Sequence, residues 1–137
     1  MTLYPVRIIH RSIARDWREV YSFAAQPENI RQWASGLAAG LTPDGEDWIG
    51  DGGPIGKLRV RFAPANAFGV IDHTVTLPDG TRIYNALRIV PNADGAEVMF
   101  TLYRLPGVSD EAFEADAAHI ARDLEALKVI LETTEMF

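Results

Sequence analysis

The 137-residue chain contains no cysteine, which excludes disulfides, zinc–thiolate centres and thiol nucleophiles. Basic residues are in deficit. Thirteen Lys and Arg stand against 19 Asp and Glu, for a formal charge of −6. A nucleic-acid-binding surface needs a basic patch and is not expected. No apolar run approaches the roughly 20 residues needed to span a bilayer. No N-terminal stretch has the basic, apolar and cleavage regions of a signal peptide, so a soluble, cytoplasmic protein is expected. Histidine is scarce, and no pair has His-x-His or His-x₃-His spacing, so neither a metal site nor a cofactor is expected. The serines (Ser12, Ser22, Ser35, Ser109) include none in a Gly-x-Ser-x-Gly turn. Repeats, low-complexity tracts and linkers are also missing. One domain over 1–137 is expected, long enough to bury roughly two-thirds of its unfolded surface.

What is present is a strict order of patterns. Residues 3–12 read as a strand with Val6, Ile8 and His10 on one side, and His10 is a candidate for the interior. The segment DWREVYSFAA repeats Trp17, Val20, Tyr21 and Ala24 at helical spacing. Pro27 then opens a short second helix, PENIRQWAS, since its missing N–H is not needed there; Ile30 and Trp33 are its apolar residues. Strands are predicted near 37–42, 46–50, 55–63, 69–77, 81–90 and 96–104, with 37–50 readable as one bent strand. Pro-Asp-Gly, Gly-Gly-Pro and Ala-Asp-Gly turns at this density indicate an antiparallel sheet. Finally Ser109 or Asp110 caps a long helix, DEAFEADAAHIARDLEALKVILE, with one apolar stripe of Phe113, Ala117, Ile120, Leu124, Leu127 and Leu131. His119 falls off that stripe and is expected in solvent.

The stretch VIDHTVTL (70–77) holds the sharpest polar signal. Alternate strand residues face opposite sides, so Ile71, His73, Val75 and Leu77 share one row. Asp72 shares the other, polar row and is not expected to orient His73. The Pro78-Asp79-Gly80 turn that follows pairs Leu77 with Thr81. His73 then pairs with Asn85, and Ile71 with Leu87. The interior row of the second strand is Ile83, Asn85, Leu87, Ile89. Its single polar residue thus meets the single polar residue of the first, and a one-residue slip destroys the match. Either the two satisfy each other, or they form one polar spot on an apolar wall. Leu58, Val60 and Phe62 are expected inward from 55–63, with Lys57, Arg59 and Arg61 outward. Val98, Phe100 and Leu102 are expected inward from 96–104, although a three-residue Ala-Asp-Gly loop would reverse that parity.

The order strand, two short helices, antiparallel strands, long helix resembles the START-like or helix-grip superfamily (the SRPBCC group). Within it, the chain resembles bacterial polyketide cyclase/dehydrase-like proteins. The resemblance runs from Val6 to Glu132 and is carried by DWREVYSFAAQPENIRQWA, the glycine-bearing turns and the long last helix. It implies an α+β helix-grip fold, in which a curved antiparallel sheet of six to seven strands wraps the C-terminal helix around a cavity. The stretch GDGGPIG (50–56) is similar to the glycine-rich loop of the plant pollen-allergen branch. It reads as a tight turn, because Ile55 stands where a dinucleotide fingerprint needs Gly and a strand follows it.

Three functions fit. The first is binding of a small lipid-like or polyketide-like molecule, with His73 and Asn85 as polar anchors and Val60, Phe62, Ile71, Leu87, Phe100, Trp33, Ile120 and Leu124 as walls. The second is an aromatase/cyclase/dehydrase-type enzyme with His73 as general acid or base. The third is a partner-binding domain whose cavity is closed. Oligomeric state is not legible.

Overall fold

A computed structural model describes residues 1–37 and 39–133. Strand β1 (Val6–Ile13) is followed by helix α1 (Trp17–Ala24) and, after a 3-10 turn at Pro27–Asn29, by helix α2 (Ile30–Trp33). Six strands come next: β2 (Leu41–Asp44), β3 (Asp47–Asp51), β4 (Lys57–Phe62), β5 (His73–Thr76), β6 (Arg82–Asn92) and β7 (Gly95–Tyr103). Helix α3 (Asp110–Thr133) closes the described chain. The strands form one antiparallel seven-stranded sheet in the order β1-β7-β6-β5-β4-β3-β2, so β1 and β2 are its edges. This is an α+β helix-grip architecture. No helix among the described residues is long and apolar enough to cross a membrane.

Local chemistry sets the helix starts. The Asp16 carboxylate accepts the Arg18 N–H at 2.8 Å, and the Ser109 hydroxyl accepts the Ala112 N–H at 3.1 Å, both satisfying donors a helix cannot pair internally. The stripe of α3 is buried at Phe113, Ala117, Leu124, Leu127 and Leu131, with Ile120 half-buried. From Ala117 onward it packs with Val20 of α1, Ile30 and Trp33 of α2, and Leu87, Ile89 and Val98 of the sheet in one core.

The sheet corrects several expectations. In β1 the buried residues are Ile9 and Ile13, while Val6, Ile8 and His10 lie outside. The inner row alternates with arginines, which hides it from a polarity count. Arg7 reaches Glu114 at 2.5 Å and Arg11 reaches Glu125 at 3.1 Å on the flank of α3, so the charged heads pair with the helix the row faces. His10 instead contacts Glu97 at 2.7 Å on the outer face. Segment 41–51 is a hairpin, with Asp44 opposite Asp47, rather than one bent strand. The strand expected at 37–42 gives way at its start to a 3-10 turn (Ser35–Leu37), and Ala38 lies outside the described residues. The turn into β7 uses two residues, since Asn92 pairs with Gly95. That register keeps Val98, Phe100 and Leu102 on the inner side.

Candidate functional site

A cavity of about 350 Å³ lies between the inner face of β4–β7 and helices α2 and α3. Its size falls at the lower end for small-molecule sites. Leu58, Phe62, Leu87, Phe100, Ile120 and Leu124 supply apolar walls, and Trp33 and Ile30 close one side. The glycine-bearing turn before β4 places Ile55, 60% exposed, at the rim. This turn binds itself through Gly52 N–H to the Gly56 carbonyl at 2.8 Å.

Two polar groups enter from the sheet. The Leu77 N–H bonds the Thr81 carbonyl at 2.8 Å, and His73 sits directly opposite Asn85. Both line the cavity. They do not bond each other. His73 Nδ1 donates to the Ile71 carbonyl at 2.9 Å, and its ring leans on Phe62 with centroids 5.4 Å apart. Desolvation pulls its pKa below the ordinary imidazole value, outweighing the opposing Ile71 carbonyl and Asp72 charge. The Asn85 amide has no hydrogen-bond partner among the described residues. Of the other expected wall residues, Trp33, Phe62, Leu87, Phe100, Ile120 and Leu124 do line the space. Val60 (0% exposed) and Ile71 (3%) are instead sealed in the packing beside it.

Asp72 keeps to the row opposite His73, yet it is buried. It is the buried charged residue of the described chain, 6% exposed. Its carboxylate accepts the Leu87 N–H at 3.1 Å, Arg88 Nη2 at 2.8 Å and the Tyr84 hydroxyl. Burial by itself would raise its pKa, but the bonds from Arg88 and Tyr84 prevail and hold the carboxyl below the usual range. The Trp33 indole N–H is buried with no acceptor among the described residues.

A second polar cluster sits where α2 meets α3. Ser35 Oγ lies 2.8 Å from Asp123 and 3.2 Å from His119 Nε2, with His119 and Asp123 3.4 Å apart. Asp116, His119 and Asp123 all border the cavity. His119, expected in solvent, is partly exposed at this border; Asp116 and Asp123 carry no such expectation, yet the spacing of the three by three and four residues, interleaved with Ile120 and Leu124, places them on one helix face. The Asp123 carboxylate is the nearer acceptor for the hydroxyl, with the His119 imidazole beside both.

No family model matches the chain, and no curated protein is similar to it. Solved structures are similar in fold. DynU16, from the dynemicin biosynthetic locus, superposes with a TM-score of 0.72 at 16% identity over 93% of this chain, which spans only 47% of DynU16. Protein MLL2253 from Mesorhizobium loti gives 0.73 at 15% identity, covering 96% of this chain and 100% of its own. The Aha1 dimer structure from Colwellia psychrerythraea gives 0.72 at 13% identity, covering 96% and 99%. At such identities the likeness establishes the fold alone, the helix-grip arrangement of a curved sheet and a long helix.

Proposed function

We propose that the protein binds a small, mostly apolar molecule between its sheet and α3, with His73 and Asn85 as the polar anchors. The observation that carries this is their pairing across β5 and β6 inside an apolar cavity of about 350 Å³, without a bond to each other. Both side chains are half-buried and their unpaired atoms still reach solvent, so a ligand that covers them without meeting them forfeits about 1–3 kcal/mol. Mass spectrometry of small molecules extracted from the native protein tests the reading. Enrichment of an apolar compound carrying one or two polar groups supports it. An empty extract, together with no affinity for flat apolar alcohols or carbonyl compounds, counts against it and favours a role through a partner protein.

A second reading is supported by the free Nε2 of a neutral His73. Such a nitrogen can take a proton beside a carbonyl, as cyclisation or dehydration of a polyketide-like chain requires. The His73→Gln variant separates the two, because glutamine still donates and accepts. If the residue only anchors, much of the affinity survives. If it moves protons, binding survives and turnover falls about 10²–10⁴-fold.

A further inference from the structure

We propose that this cavity selects ligands that present a hydrogen-bond donor, such as a phenol or enol hydroxyl, over ketones and ethers. The preference is built into the β5–β6 ladder and rests on the binding reading above. Ile71 and Leu87 face each other as a pair that should exchange two backbone bonds. Only one is made, from the Ile71 N–H to the Leu87 carbonyl at 2.8 Å. The Leu87 N–H turns instead to Asp72 Oδ1 at 3.1 Å. The Ile71 carbonyl is therefore released, and His73 Nδ1 takes it at 2.9 Å.

A carbonyl has no proton to give, so Nδ1 carries the hydrogen. A neutral ring then holds its lone pair on Nε2, which has no partner among the described residues. Burial keeps the ring neutral near pH 7, since it lowers the His73 pKa. Asp72 is itself fixed by Arg88 and Tyr84 on the other face of the sheet. It acts as a positioning residue, setting which nitrogen of His73 is the acceptor without touching the cavity. The Asn85 amide can donate or accept, so it does not discriminate. His73 does: a hydroxyl satisfies Nε2, whereas a ketone or ether turns lone pair to lone pair.

The test uses three probes of one shape, 2-naphthol, 2-methoxynaphthalene and 2-acetylnaphthalene, titrated calorimetrically into the whole protein. The naphthol should bind about fivefold or more tightly than the other two, about fivefold being the least that an unpaired buried acceptor costs. In His73→Leu that advantage should shrink to within about twofold, since the acceptor is gone. Nitrogen-15 NMR should show the hydrogen of His73 on Nδ1 in the native protein and in Asp72→Asn, whose amide oxygen still accepts the Leu87 N–H. Asp72→Ala should mix the two tautomers. Equal affinity for the three probes would overturn the donor preference and leave the binding site standing. Failure of all three to bind would overturn both. A hydrogen found on Nε2 in the native protein, or an unmixed tautomer in a folded Asp72→Ala, would overturn the role of Asp72; if that variant does not fold, the native and Asp72→Asn spectra decide.

Discussion

Ser35 gives its hydroxyl proton to Asp123 at 2.8 Å and its backbone N–H to the same oxygen at 3.2 Å. The chain leaving α2 is thereby tied to the middle of α3 beside the cavity. Both groups are near solvent, so Ser35→Ala should lower stability by no more than about 1.5 kcal/mol. Its effect should be kinetic. Stopped-flow binding of 2-naphthol should show faster association and faster dissociation with nearly the same affinity. Unchanged rates would mean that the ligand enters elsewhere.

Stability should depend on pH through His73. Its folded pKa lies below the ordinary value because burial disfavours the charged ring. The unfolded chain therefore binds the proton more readily. The contribution is fully present above about pH 6.5 and is lost as pH falls toward the folded pKa, at up to about 1.4 kcal/mol per unit. Urea unfolding at pH 7 and pH 5 should show that fall in the native protein and a shallower one in His73→Gln. Equal slopes would indicate that His73 is hydrated.

Trp33→Phe should be unusually mild. The indole N–H is buried without an acceptor among the described residues, a debit of about 1–3 kcal/mol that phenylalanine removes. This offsets the packing lost with the smaller ring, and the net change should stay within about 1 kcal/mol. Chemical denaturation approaching the roughly 3–5 kcal/mol of a Trp→Ala truncation would show that the N–H is bonded.

Two glycines with left-handed backbones should respond differently to alanine. At Gly69 (φ +73°) an added Cβ would stand 2.0 Å from the Ile89 carbonyl oxygen, whereas at Gly80 (φ +90°) nothing lies within 4 Å. Gly80→Ala should cost about 1–2 kcal/mol, the backbone term alone. Gly69→Ala must also push β6 away and should exceed the about 0.5–3 kcal/mol of ordinary substitutions. Thermal unfolding of the pair checks this, and similar midpoints would refute the clash.

The residues that were legible are those whose period and turn chemistry agree. The Pro78-Asp79-Gly80 turn forces the β5–β6 register, so His73 opposite Asn85 could be counted from the sequence. The stripe of α3 was equally plain. What escaped involves charge used against its usual place. Arg7 and Arg11 occupy the inner row of β1 because α3 offers Glu114 and Glu125, and polarity alone then assigns the strand backwards. The burial of Asp72 is hidden for the same reason: its partners Tyr84 and Arg88 come from another strand, and no local pattern announces a carboxylate replacing a backbone acceptor. The polar rim of α3 shows the reverse case, visible by spacing but judged by hydropathy.

The sheet is open, and its two margins are protected by different means. At β2 the strand is four residues long and carries Pro43, which has no N–H to offer a newcomer. At β1 two of the outward carbonyls are already taken: the Ser12 carbonyl accepts Lys128 Nζ at 2.6 Å and the His10 carbonyl accepts Arg11 Nη1 at 2.8 Å. Each margin thus offers another strand only a shortened template. Crowding many copies together, as during overexpression, should therefore not zip them sheet to sheet. Association between molecules should then lean on side chains more than on extension of the backbone ladder.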